Sequence, residues 1–150
     1  MRMRLFIALV AALAATFVLA GIALADEGGR PFTTALSGAA EVPGPGDPDA
    51  AGTASLRLNS GQGEVCLDIS WADVDGEVFA GHIHAGTADV AGPVVVTLFT
   101  GAFAGTDSVS GCVTADRALI LEIIRNPENY YVNVHSRPNF PGGAVRGQLG

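Results

Sequence analysis

The chain has 150 residues, eight arginines, no lysine and fifteen acids, for a net charge of −7 and a pI near 4.7. An acidic, lysine-free chain does not suit nucleic acid, and its length fits one domain able to bury its own core. Asp and Glu are scattered without calcium-loop spacing, so their excess reads as solubility rather than as a site.

Two arginines in Met1-Arg2-Met3-Arg4 precede an uncharged Ala-, Leu- and Val-rich run from Leu5 to Ile22, and Ala23-Leu24-Ala25 provides small residues at the cleavage spacing. Residues 1–25 therefore read as a secretory signal, with a mature domain of residues 26–150 beginning at Asp26. An uncleaved anchor is the alternative, because the run is nearly long enough to span a bilayer. After cleavage six arginines and fifteen acids remain, a net charge of −9, and nothing in the mature part calls for a membrane.

Alternation of apolar and polar residues then marks short strands in order. Pro31–Gly38 is the first, followed by a proline- and glycine-rich loop from Ala39 to Gly52. Thr53–Leu58 and Glu64–Trp71 form a hairpin across Asn59-Ser60-Gly61-Gln62-Gly63. In the second of these Val65, Leu67, Ile69 and Trp71 point inward and Cys66 points outward. Phe79–Gly86, Val94–Phe99 and Ser108–Val113 follow, and Cys112 is outward by the same parity. Two outward cysteines in an exported chain predict one disulfide, Cys66 with Cys112, if their strands are neighbours. The spacing predicts a helix over 115–125, capped by Thr114, with Leu119, Ile120, Ile123 and Ile124 on one face. Tyr130–His135 and Ala144–Leu149 complete the pattern. About eight strands and one short helix indicate an all-β fold, an antiparallel Greek-key sandwich or barrel whose helix covers an open end or edge.

All three histidines lie on strands. His82 and His84 flank Ile83, and His135 alternates with Val132 and Val134, so parity places all three rings on the outer face of a sheet. Neutral imidazole is a common ligand for copper and zinc, and three ligands leave a position open. The sequence favours the plainer expectation, in which the histidines and Asn133 hydrogen-bond to one another and to the loops 86–93 and 136–143. A copper or zinc centre on His82, His84 and His135 is the alternative. No catalytic set is visible: Ser136 beside His135 lacks a strand-turn-helix elbow, and Glu41 and Glu64 have no evident partner carboxylate.

Four blocks in order carry a family likeness: Leu36-Ser37-Gly38-Ala39-Ala40-Glu41-Val42-Pro43; Gly81-His82-Ile83-His84-Ala85-Gly86 with Gly92-Pro93-Val94-Val95; Gly111-Cys112-Val113; and Asn129 to Ser136 running on to Arg146-Gly147-Gln148-Leu149. Together they resemble the chordin-type (CHRD) domain from Phe32 to Leu149. That resemblance implies an all-β secreted domain with no established activity in microbial single-domain members. In animal chordin such domains belong to an extracellular antagonist of bone morphogenetic proteins, a role that does not transfer to a stand-alone domain. The stretch Gly44–Ala50 departs from the family in length. His82 and His84 also resemble the His-x-His strand of copper-zinc superoxide dismutase, but the zinc-loop histidines and active-site arginine of that enzyme have no counterpart here. The sequence thus leads to the expectation of a secreted, non-enzymatic binding or structural module for an extracellular protein or envelope component, with a copper or zinc protein as the alternative.

Overall fold

A computed structural model describes residues 28–150, so the signal segment and cleavage point expected from the sequence lie outside the described residues. Eight strands form: β1 Arg30–Ser37, β2 Ala51–Asn59, β3 Glu64–Ala72, β4 Glu77–Ala85, β5 Val94–Thr100, β6 Ser108–Thr114, β7 Tyr130–Arg137 and β8 Val145–Gln148. One helix, α1, spans Arg117–Arg125. No helix among the described residues is long and apolar enough to cross a membrane.

The strands make a single antiparallel sheet in the order β5-β4-β7-β8-β1-β2-β3-β6. Its two edge strands, β5 and β6, approach each other, so the sheet curls into a nearly closed barrel. Around that closure β7, β4, β5 and β6 stand side by side in the Greek-key arrangement, the fourth strand of the run lying beside the first. Trp71 of β3 stacks on Phe99 of β5 at 5.8 Å, and Phe103 meets both rings edge-on at 6.1 and 5.1 Å. These three rings fill the interior along the seam, where no backbone ladder joins β5 to β6.

Inward parity is kept along the chain. Leu56, Leu58, Val65, Leu67, Ile69, Ile83, Val132 and Val134 all lie in one buried cluster. The β2–β3 turn closes with Gln62 N–H donating to Asn59 Oδ1 and Gly63 N–H donating to Asn59 O. Gly63 sits at φ +72°, a conformation costly for any residue with a Cβ. Cys66 and Cys112 are directly opposite on β3 and β6, with Cα atoms 3.9 Å apart, and are joined as a disulfide.

The helix begins two residues later than the sequence suggests. Thr114 is still the last residue of β6, paired with Glu64, and the cap is Asp116, whose carboxylate accepts from Leu119 N–H at 2.9 Å. Ladder pairing holds Thr114 in the strand, so the next residue able to accept from the first turn takes over. Ala115 N–H donates to Gly63 O, which pins the helix start to the β2–β3 turn. Ile120 and Ile123 are completely buried, so α1 plugs that end of the barrel. A short 3₁₀ turn, Gly38–Ala40, opens the 38–50 loop, and a second one, Pro127–Asn129, leads into β7.

Alternation suggests that β7 is half-buried, but it is buried on both faces. Tyr131, Asn133 and His135 are only 3, 2 and 7% exposed. Their side chains do lie outside the barrel. Segments from the 38–50, 86–93 and 136–143 loops fold over them, a coverage that strand periodicity does not encode.

Candidate metal centre

The outer faces of β4, β7 and β8 share a polar layer. Antiparallel pairing sets His82 opposite Asn133, His84 opposite Tyr131, Ala80 opposite His135, and Asn133 opposite Arg146. Ala80 is small, and His135 and His82 are diagonal neighbours beside it. Their rings come within 4.9 Å, with His82 Nδ1 3.0 Å from His135 Nε2. His84 completes the group, its ring 5.6 Å from His82 and 6.1 Å from His135.

Two loops fix the orientation of the outer pair. His84 Nδ1 is 2.8 Å from Gly92 O and His135 Nδ1 is 3.0 Å from Pro141 O. A carbonyl oxygen only accepts, so both rings carry their proton on Nδ1 and keep Nε2 as an acceptor. Gly92 can hold this place because a Cβ there would sit 1.6 Å from Ala85 O. One potential ligand nitrogen from each histidine falls in a single group whose members lie within 4.8 Å of one another. His135 Nε2 has the His82 ring as partner, whereas His84 Nε2 is buried with no hydrogen-bond partner.

Burial disfavours the protonated forms of His82 and His135. Burial, reinforced by repulsion from His135 and His84, lowers the His82 pKa from 6.5 to about 4. His135 is lowered too, chiefly by burial, with the Pro141 carbonyl opposing and His84 adding to the effect. Neutral rings are the form that binds a metal. In the metal-free arrangement His82 donates its Nδ1–H to His135 Nε2, and a tautomer change frees Nδ1 at no cost in net charge. Two nitrogens bound tetrahedrally at about 2.0–2.1 Å stand about 3.4 Å apart. The group therefore needs a contraction of at most about 1.4 Å in its widest pair.

Neighbouring polar groups were not legible as part of this layer. Glu41 is 6% exposed under the 38–50 loop, with its Oε1 unpartnered. Burial raises its pKa from 4.5 to about 7 against the pull of Arg146, an Asn133 hydrogen bond and the Val42 backbone. Arg146 is 1% exposed, and the sequence marks it only as part of the last block of the family likeness. Ser136 is fully buried and donates to Asp75 O at 2.6 Å, so it is no nucleophile. Glu64 lies beside Cys66 and Cys112, but sulfurs joined in a disulfide are not thiolate ligands.

An all-β Greek-key barrel with a loop-covered histidine triad on its outer face is the class of protein these features define. The CHRD domain family model matches residues 32–149, and the chain belongs to that family. No curated protein and no solved structure matches the chain.

Proposed function

We propose that this CHRD domain is an exported, non-enzymatic binding module whose built site takes one copper or zinc ion on His82 Nδ1, His84 Nε2 and His135 Nε2. The observation that carries the reading is the bare, buried Nε2 of His84 in a triad whose rings each offer one nitrogen within 4.8 Å of the others. A buried acceptor without a partner costs about 1–3 kcal/mol, and a cation removes that cost. The carbonyls of Gly92 and Pro141 on the opposite ring nitrogens are the outer partners that metal-ligating histidines ordinarily have. The hydrogen bonds of the plainer expectation, between His82 and His135 and from the rings to the loops, are present as well, and they leave His84 Nε2 free for a ligand. Three neutral nitrogen donors suit copper or zinc rather than the oxygen-seeking magnesium and calcium.

A second reading, recognition of an extracellular protein or envelope component, draws on Val90 and Val94. These are the large apolar side chains left exposed among the described residues, at 45 and 48%, on and beside the loop covering His84.

Metal analysis of the exported, purified protein separates the two. The expected result is about one copper or zinc per chain and a melting temperature that rises with added metal and falls back with chelator. Saturation at a hundred times Kd corresponds to about 2.7 kcal/mol. His84→Ala is expected to abolish both effects. A wild-type protein that retains no metal and whose melting ignores added copper and zinc refutes the metal reading. N-terminal sequencing of the same material is expected to begin at Asp26, and an exported product still carrying residues 1–25 overturns cleavage.

A further inference from the structure

Arg146 is a guanidinium in an expensive place. It is 1% exposed and has no carboxylate at ion-pair distance among the described residues, and a hydrocarbon side chain could fill the same volume without the desolvation cost. Its surroundings show what the charge and the flat shape are used for. The guanidinium carbon lies 3.4 Å from the centroid of the Tyr131 ring. Tyr131 in turn stacks on His84, at 4.8 Å between centroids and 11° between planes. Three planar groups from β8, β7 and β4 thus form one pile, Arg146 on Tyr131 on His84.

The same two residues hold the loop that orients His84. Arg146 Nη1 donates to Val90 O at 3.1 Å and Nη2 donates to Thr87 O at 2.7 Å. Gly92 N–H donates to the Tyr131 hydroxyl at 3.1 Å, and the Gly92 carbonyl accepts the His84 Nδ1 proton. The stack therefore fixes the plane of the His84 ring, and the loop contacts fix which nitrogen carries its proton.

We infer that Arg146 and Tyr131 are positioning residues of the metal centre: they clamp His84 by stacking and by anchoring the 87–92 loop, so that Nε2 is presented bare to His82 and His135 before any ion arrives. The purpose of this clamp rests on the metal reading above, whereas its geometry does not. Only a planar, permanently charged donor fork can bind two carbonyls and lie face-on to a ring, so lysine is not an equivalent.

The test uses Arg146→Lys, which keeps the charge, and Tyr131→Phe, which keeps the ring but loses the hydroxyl. Ring ¹⁵N NMR of the metal-free protein is expected to show His84 as a single Nδ1–H tautomer in the wild type and as a mixture in both variants, with His135 unchanged. Titration with Cu(II) and Zn(II) is expected to show binding weakened 10–100-fold by Arg146→Lys and about 10-fold by Tyr131→Phe, within the range usual for outer partners of metal ligands. A residue whose role was only structural would alter melting and leave both the His84 tautomer and the metal affinity as they were. Folded variants with the wild-type tautomer and affinity overturn the clamp, and so does a wild-type His84 already averaging between tautomers. If Arg146→Lys fails to fold, Tyr131→Phe decides alone. A wild type with a fixed His84 tautomer that binds neither metal overturns the metal reading and the purpose of the clamp, and leaves the clamp itself as a property of the fold.

Discussion

Glu41→Gln is expected to stabilise the domain at neutral and alkaline pH and to change little in acid. Glu41 is 6% exposed, one carboxyl oxygen has no partner, and burial raises its pKa from 4.5 to about 7. Between those values the folded state keeps a proton that the unfolded chain has released, so stability falls as pH rises from about 4.5 to about 7. At about 1.36 kcal/mol per pH unit the loss is about 3 kcal/mol, complete by pH 8. An amide of the same shape never ionises and escapes that loss. Urea denaturation of both proteins across pH 4–8 measures the difference directly. His82 and His135 contribute a slope of the opposite sign: their lowered values mean that stability is lost as pH falls from about 6.5 towards the folded-state value, about 4 for His82. That contribution is common to both proteins and cancels in the comparison. A Glu41→Gln difference that is constant with pH, or a variant less stable than wild type at pH 8, refutes the burial argument. Either result would mean that the Glu41 charge is well accommodated beside Arg146.

Replacing Cys66 and Cys112 together by alanine is expected to cost about 4 kcal/mol in the chain-entropy model for a separation of 46 residues, read by denaturation under non-reducing conditions. A cost below about 1 kcal/mol would show that the unfolded chain is already constrained there. Asp116→Ala is expected to cost about 1 kcal/mol, whereas Thr114→Ala spares the cap because Thr114 belongs to β6. Equal losses at the two positions would argue that the helix starts where the sequence alone put it.

The strands were legible because each of them buries one face against a common interior, and that leaves a period of two in the sequence. Val65, Leu67, Ile69 and Trp71 show it plainly, and the outward position of Cys66 follows from it. The histidine group was legible for the same reason: parity put His82, His84 and His135 on one face, and β4 and β7 proved to be neighbours. What covers them was not. Glu41 reaches the layer from a loop of prolines and glycines with no periodicity, and the carbonyls of Gly92 and Pro141 are backbone groups that carry no residue signature. Arg146 and Tyr131 sat in recognisable strands, but nothing local reveals that a guanidinium, a phenol ring and an imidazole from three strands end up stacked. The misplaced helix start has a similar origin. Thr114 and Asp116 are both good caps, and only the ladder pairing of Thr114 with Glu64 decides between them.

The single cross-strand disulfide sets terms for how the chain must mature. Cys66 and Cys112 are the chain's two cysteines, so one intramolecular pairing exists and no wrong one within the chain can form. In an N-to-C order of emergence Cys66 comes first and has no other thiol of its own chain to meet until the β4–β5 hairpin and β6 have followed. Bond formation therefore marks the arrival of β6 beside β3. Such a chain needs an oxidant in its compartment but no disulfide isomerase.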